Sequence, residues 1–323
     1  MLNRKIDNEI DAHFSNSKKA LFLTGARQVG KTYSIRKYAK LHGLNLIEFN
    51  FLLQPEAMDI INGAGDVKEL LLRISAYSRV PLVRSKTLIF FDEVQECPDV
   101  MTWVKALVDE GSYIYALSGS LLGVELKDIR SVPVGYMSEM QVYPMDFEEF
   151  VSAVGVPENV LDAVKKSWSE KTLVDAYIHE KMMQLFQLYI IVGGMPAAVQ
   201  TYMDSNNIQN VVKEQRDIIN LYKKDIARYD QDVRKKLYID EVFDLIPSEL
   251  NAKNKRFILK RLNENMTFGR HENDFIWLKD ADMALPTYNV EEPVSPLKLS
   301  EQRNLFKLFQ NDVGLLSCQY SSG

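Results

Sequence analysis

An α/β fold, a parallel sheet covered by helices and followed by a helical extension, is what this sequence predicts. Three observations carry the prediction. Apolar, strand-like runs alternate with helical patterns as far as about Pro144, and such alternation builds a parallel sheet with both faces covered. A glycine-rich octet, Gly25-Ala26-Arg27-Gln28-Val29-Gly30-Lys31-Thr32, stands directly after the first apolar run. Beyond Pro144 the alternation stops, and one helical pattern follows another.

In chain order, residues 20–24 read as the first strand, 31–42 as a helix and 45–49 as the second strand. Residues 66–77 carry leucines at helical spacing, and 87–91 form a third strand. Pro98 opens a helix over 99–110, residues 113–117 are a fourth strand, and 134–142 alternate moderately as a fifth. Right-handed crossovers put a ligand at the carboxyl ends of such strands, where the octet sits. Helices are then expected over 146–154, 159–166, 173–191, 196–203, 208–229, 233–246 and 252–265. A strand-like piece at 274–278 precedes a turn-rich run with Pro286, Pro293 and Pro296. A chain of 323 residues exceeds one ordinary core, and boundaries are expected near 144, 230 and 295.

The octet fills the pattern G-x-x-x-x-G-K-[ST] without a mismatch. A strand that ends in such a loop and turns into a helix presents backbone N–H groups to a polyphosphate. Gly25 and Gly30 allow backbone angles and a close approach that a Cβ would block. Lys31 sets a charge on the β- and γ-phosphates, and Thr32 offers a hydroxyl to Mg²⁺. A nucleoside triphosphate is therefore expected along Gly25, Ala26, Arg27, Gln28, Val29, Gly30, Lys31, Thr32 and Tyr33.

The third strand ends in Asp92-Glu93. A capped helix start would explain two carboxylates there, but sixty residues beyond the octet they have a paired use. Asp92 is placed to hold Mg²⁺, and Glu93 to orient and deprotonate the water that attacks the γ-phosphate. Ser118-Gly119-Ser120 ends the fourth strand; Ser118, or failing it Ser120, either reports the γ-phosphate or caps a helix. Arg130, just before the fifth strand, is where an arginine finger would stand, and a solvated surface arginine is the simpler account.

Composition removes other classes. Hydrophobic residues at 46% and charged residues at 26% are those of a soluble globular chain. No apolar stretch approaches the roughly 18 residues that span a bilayer, and the N-terminus turns charged at once, so no membrane partner is expected. Cys97 and Cys318 are the only cysteines, which implies no disulfide framework and a reduced, cytoplasmic protein. His13, His42, His179 and His271 fall in no ligand spacing with them, so a zinc site is not supported.

With the octet, Asp92-Glu93 and Ser118–Ser120 in order, the first domain resembles the AAA+ ATPases and their STAND relatives. Further motifs follow: Val134-Gly135-Tyr136, Tyr143-Pro144-Met145-Asp146-Phe147-Glu148-Glu149-Phe150, Val192-Gly193-Gly194-Met195-Pro196, and Asn311-Asp312-Val313-Gly314-Leu315-Leu316. Together they resemble the archaeal-type AAA ATPases of prokaryotes, across essentially the whole chain. The resemblance implies an ATPase core over 1–144, a helical extension over 145–230, a winged helix over 231–295 and the start of a restriction-endonuclease-like domain over 296–323. It implies ATP as the nucleotide, and an adenine contact for Pro196 in Gly194-Met195-Pro196, although a helix start with proline in its first turn fits the same residues. Many relatives carry arginine where this chain has Tyr136, which counts against a finger there. Relatives also continue beyond the Asp-Val-Gly-Leu-Leu motif, so a truncated third domain is expected. Glu125-Leu126-Lys127 matches a nuclease motif by chance inside the core, and no nuclease activity is expected.

The formal net charge of −5 does not announce a nucleic-acid binder, but Lys253, Lys255, Arg256, Lys260 and Arg261 cluster against the single acid Glu264. With Phe257, Ile258 and Leu262 at helical spacing, the stretch fits a winged-helix segment entering a DNA groove. A solvated basic face or a protein-docking module fits it too. The expected function is a Mg-ATP-hydrolysing switch with DNA contact through that stretch. The alternatives are a DNA-binding regulator and an ATP-gated protein-interaction module, with a protein partner or a second copy of the chain.

Overall fold

The computed structural model describes residues 2–120, 135–228, 233–252, 257 and 277–322. The chain divides into two compact units, Arg4–Tyr143 and, with Met1–Asn3, Pro144–Gly323. In the first unit, five parallel strands lie in the order β2-β3-β4-β1-β5. They are β1 (Ala20–Thr24), β2 (Asn45–Asn50), β3 (Thr87–Asp92), β4 (Ile114–Ser118) and β5 (Met137–Gln141). Every residue of β1 and β3 is buried, and their central residues, 20–23 and 88–91, read as unbroken apolar runs. β5 is half exposed at the sheet edge and shorter than expected; residue 134 lies outside the described residues.

The helices of this unit are α1 (Lys5–Asn16), α2 (Lys31–Leu41), α3 (Met58–Asn62), α4 (Val67–Tyr77) and α5 (Val100–Glu110). α4 starts where Asp66 accepts a hydrogen bond from Glu69 N at 2.8 Å, an N-cap that satisfies one orphan donor. Phe49 stacks on Phe91 at 5.6 Å and on Phe51 at 6.5 Å between ring centres, which fixes the core beside β2 and β3. Sequence patterning did not place α1, which buries only Ile6, Ile10 and His13.

The second unit is mainly helical, as expected. It contains α6 (Phe147–Ala153), α7 (Glu158–Glu170), α8 (Ala176–Val192), α9 (Pro196–Ser205), α10 (Ile208–Arg228), α11 (Val233–Asn251) and α12 (Val313–Ser322). Asp146 and Glu149 close a capping box at the start of α6, with bonds of 2.9 and 3.0 Å. α11 does not stop before Pro247 but runs on to Asn251. Ile246, Pro247 and Glu249 are buried there, and the packing of that turn outweighs the one backbone bond proline removes.

Two further expectations need correction. Trp277 and Leu278 begin a helical turn rather than a strand, while 274–276 lie outside the described residues. The proline-rich run is not merely turns: β6 (Ala284–Val290) pairs antiparallel with β7 (Glu301–Gln310). Pro286 is tolerated because a strand of a two-stranded sheet always has an edge that needs no N–H. Among the described residues, no single helix is long and apolar enough to cross a membrane.

Candidate nucleotide site

The loop after β1 is shaped by its backbone. Gly25 has φ of 128°, Gln28 is left-handed at 64°, and Gly30 caps α2 at 101°. A Cβ on Gly25 would collide with the carbonyl of Val142, which pairing of β1 with β5 brings against the loop. Gly25 is thus required for close packing within the protein as well as for its backbone angle. The first turn of α2 leaves N–H groups without helical partners at the loop's end. Lys31 is buried, and its Nζ donates to Gly25 O at 2.7 Å and Ala26 O at 2.8 Å. Ala26 and Val29 are buried, whereas Gln28 and Tyr33 are exposed.

Parallel register brings the ends of β2, β3 and β4 to this loop. Thr32 Oγ1 donates to Asp92 Oδ2 at 2.9 Å, and Asn50 Nδ2 donates to the same oxygen at 2.9 Å. Ser118 donates its hydroxyl to Asp92 Oδ1. Burial pushes the Asp92 carboxyl above the usual carboxylate range; the Ser118 bond opposes this, neighbouring Glu93 adds to it, and Thr32 opposes it again. A buried carboxylate and a hydroxyl 2.9 Å apart are the oxygen donors a hard divalent cation takes, and a cation there would offset the burial of the charge. These residues therefore fit Mg²⁺.

Glu93 follows in a left-handed conformation (φ 57°, ψ 52°), so the chain folds back at once into a 3-10 turn, Val94–Glu96. Gln95 Nε2 returns to donate to Glu93 Oε2 at 2.6 Å and approaches Ser120 Oγ at 3.4 Å. Ser120 donates to Glu93 Oε2 at 3.2 Å and accepts from Arg27 Nε at 3.3 Å.

The structure thus gathers Lys31, Thr32, Asp92, Glu93 and Ser118 around one loop. Ser118 touches Asp92, and Ser120 touches Glu93. Sequence reasoning missed Asn50, Gln95 and Arg4. Register could have found Asn50, since it pairs with Asp92 across β2 and β3. Arg4 is buried, and its guanidinium donates to Val29 O at 2.9 Å and Tyr143 O at 2.7 Å, tying the loop to the strand end beyond β5. Tyr136 lies 5.4 Å under Lys105 Nζ. Arg130, the chance match at 125–127 and the basic residues Lys253, Lys255, Arg256, Lys260 and Arg261 lie outside the described residues.

Pro196 opens α9 in the second unit, just after a knot that joins three of the sequence motifs. Met145 N donates to Gly194 O at 2.7 Å, and Gly194 N donates to Asp312 Oδ2 at 2.6 Å. Asp312 Oδ1 accepts from Gly314 N at 2.9 Å and Leu315 N at 3.0 Å, capping α12. A Cβ on Gly194 would collide with the Met145 carbonyl, so only glycine allows the approach. Burial pushes the Asp312 carboxyl up, against the three N–H donors that pull it down.

Residues 17–151 match the family model described as AAA domain, and residues 183–321 match one described as Domain of unknown function (DUF8612). No protein of curated function matches the chain. The Walker-type ATPase PABY2304 of Pyrococcus abyssi is 14% identical over 99% of this chain and 96% of that one, with a TM-score of 0.55, which shows a shared fold. Aeropyrum pernix ORC1, solved in complex with DNA, is 14% identical over 99% of this chain and 93% of that one, with a TM-score of 0.35. Cdc6p of Pyrobaculum aerophilum is 12% identical over 98% and 92%, with a TM-score of 0.34.

Proposed function

We propose, for a chain that carries an AAA domain over residues 17–151, that the protein binds Mg-ATP at the loop after β1 and hydrolyses it to drive a conformational switch. The observation that carries this reading is the bond between Thr32 Oγ1 and Asp92 Oδ2, which sets hydroxyl and carboxylate together beside Lys31. Mg-ATP, when bound, supplies an electrophilic phosphorus and a cation that spreads the developing charge. Lys31 and the N–H groups that begin α2 would hold phosphate oxygens. Thr32 and Asp92 would hold the metal, with Asn50 and Ser118 keeping the carboxylate in place. Glu93 would orient the attacking water and accept its proton. Ser118 would report the γ-phosphate through Asp92, and Pro196 keeps the adenine contact that the family resemblance implies.

The basic residues Lys253, Lys255, Arg256, Lys260 and Arg261 support duplex DNA as a partner, bound through phosphate neutralisation and hence salt-dependent. One observation favours an ATP-gated protein-interaction module instead: Trp168, Leu173 and Tyr177 are 86%, 97% and 69% exposed around the α7–α8 connection. Steady-state hydrolysis by the wild type and Glu93→Gln, with and without duplex DNA, separates these outcomes. Turnover lost in Glu93→Gln and raised by DNA supports the switch on DNA. Nucleotide binding with no turnover and no response to DNA contradicts it and leaves the interaction module.

A further inference from the structure

Resting on the hydrolase reading above, we infer that Gln95 is a positioning residue for Glu93. It holds the carboxylate and, through Ser120, ties it to Arg27 of the phosphate loop. Gln95 sits two residues beyond Glu93 in the 3-10 turn and is 6% exposed. The left-handed backbone at Glu93 brings its amide back over that carboxylate, and a left-handed glutamate is a strained conformation that the surrounding structure must offset. A carboxylate can only accept, so the short contact of 2.6 Å assigns the nitrogen, not the oxygen, of the amide to Glu93. The choice has a cost: Gln95 Oε1 is left buried without a hydrogen-bond partner. Turning the amide over would set a carbonyl against Glu93, which is worse. The side chain is therefore committed to the carboxylate rather than to its own packing.

The same amide approaches Ser120 Oγ, which also donates to Glu93 and accepts from Arg27. Gln95, Ser120 and Arg27 form one line from the loop to the group that is to activate water. A change in the loop that moves Arg27 reaches Glu93 along it. Gln95 orients Glu93 and is not among the residues along which the nucleotide is expected, so its removal lowers the rate of the chemical step and leaves nucleotide affinity alone.

The test is Gln95→Met, which keeps length and apolar packing but removes the donor, with Gln95→Ala as a second variant and thermal melting as the check on folding. The expected result is a roughly tenfold to hundredfold fall in kcat, with KM and the Kd for Mg-ATP within about twofold of wild type. Ser120→Ala should give a smaller fall of the same kind. A kcat within about twofold of wild type in a folded Gln95 variant, beside an inactive Glu93→Gln, overturns this role alone. So does a raised KM with unchanged kcat. A wild type without turnover overturns the hydrolase reading and this role together.

Discussion

Replacing Asp312 with alanine should destabilise the second unit by roughly 2–4 kcal/mol. The carboxylate makes three bonds, to Gly314 N, Leu315 N and Gly194 N. The first two cap α12, and a lost cap costs about 1 kcal/mol. Gly194 N is a buried donor in a loop whose Cβ-free backbone is pressed on Met145, so water cannot easily replace the lost acceptor. Leaving such a donor unsatisfied costs about 1–3 kcal/mol, and the two contributions add to the figure given. Asp312→Asn keeps one acceptor oxygen and should lose about half as much. Urea unfolding followed by tryptophan fluorescence in a Trp103→Phe background, where the remaining Trp168 and Trp277 both lie in this unit, reads the change. A loss below about 0.5 kcal/mol in Asp312→Ala would refute the claim that this carboxylate holds the knot together.

Two more outcomes follow from the first unit. Arg4→Ala strips the acceptors Val29 O and Tyr143 O of a charged donor and should lower its stability by about 1.5–3 kcal/mol, with Arg4→Lys restoring only part; an unchanged melting temperature in the alanine variant contradicts this. Burial pushes the Cys97 thiol up to about 11, so at pH 8 its reactive thiolate is scarce. Iodoacetamide should therefore label Cys97 in the unfolded chain and spare it in the native one, as peptide mapping would read; rapid native labelling would show the burial to be wrong.

The parallel-sheet core was readable from sequence because its strands β1 and β3 are buried along their whole length. Residues 20–23 and 88–91 are apolar throughout, and the loop between strand and helix has a fixed chemical grammar. The hairpin β6–β7 was not readable. Its prolines look like loop punctuation, and only pairing with Leu308 shows Pro286 to lie in a strand. Residues 277–278 failed for the opposite reason: a short apolar run has no period to separate strand from helix. Within the site, Lys31, Thr32 and Asp92 could be placed by motif. Gln95 could not, since nothing about a glutamate announces the left-handed turn that folds Gln95 back onto Glu93. Asp312 belongs to a motif visible in sequence, but its partner Gly194 is 118 residues away and reached only through the fold.

The most direct measurement of the central claim is calorimetric titration of Mg-ATP into Glu93→Gln, which should bind without turning over, and into the same variant carrying Lys31→Ala. Saturable binding in the first, weakened at least about a hundredfold in the second, is what charge-assisted phosphate contacts at this loop predict. Equal binding in both, or none in either, would contradict it.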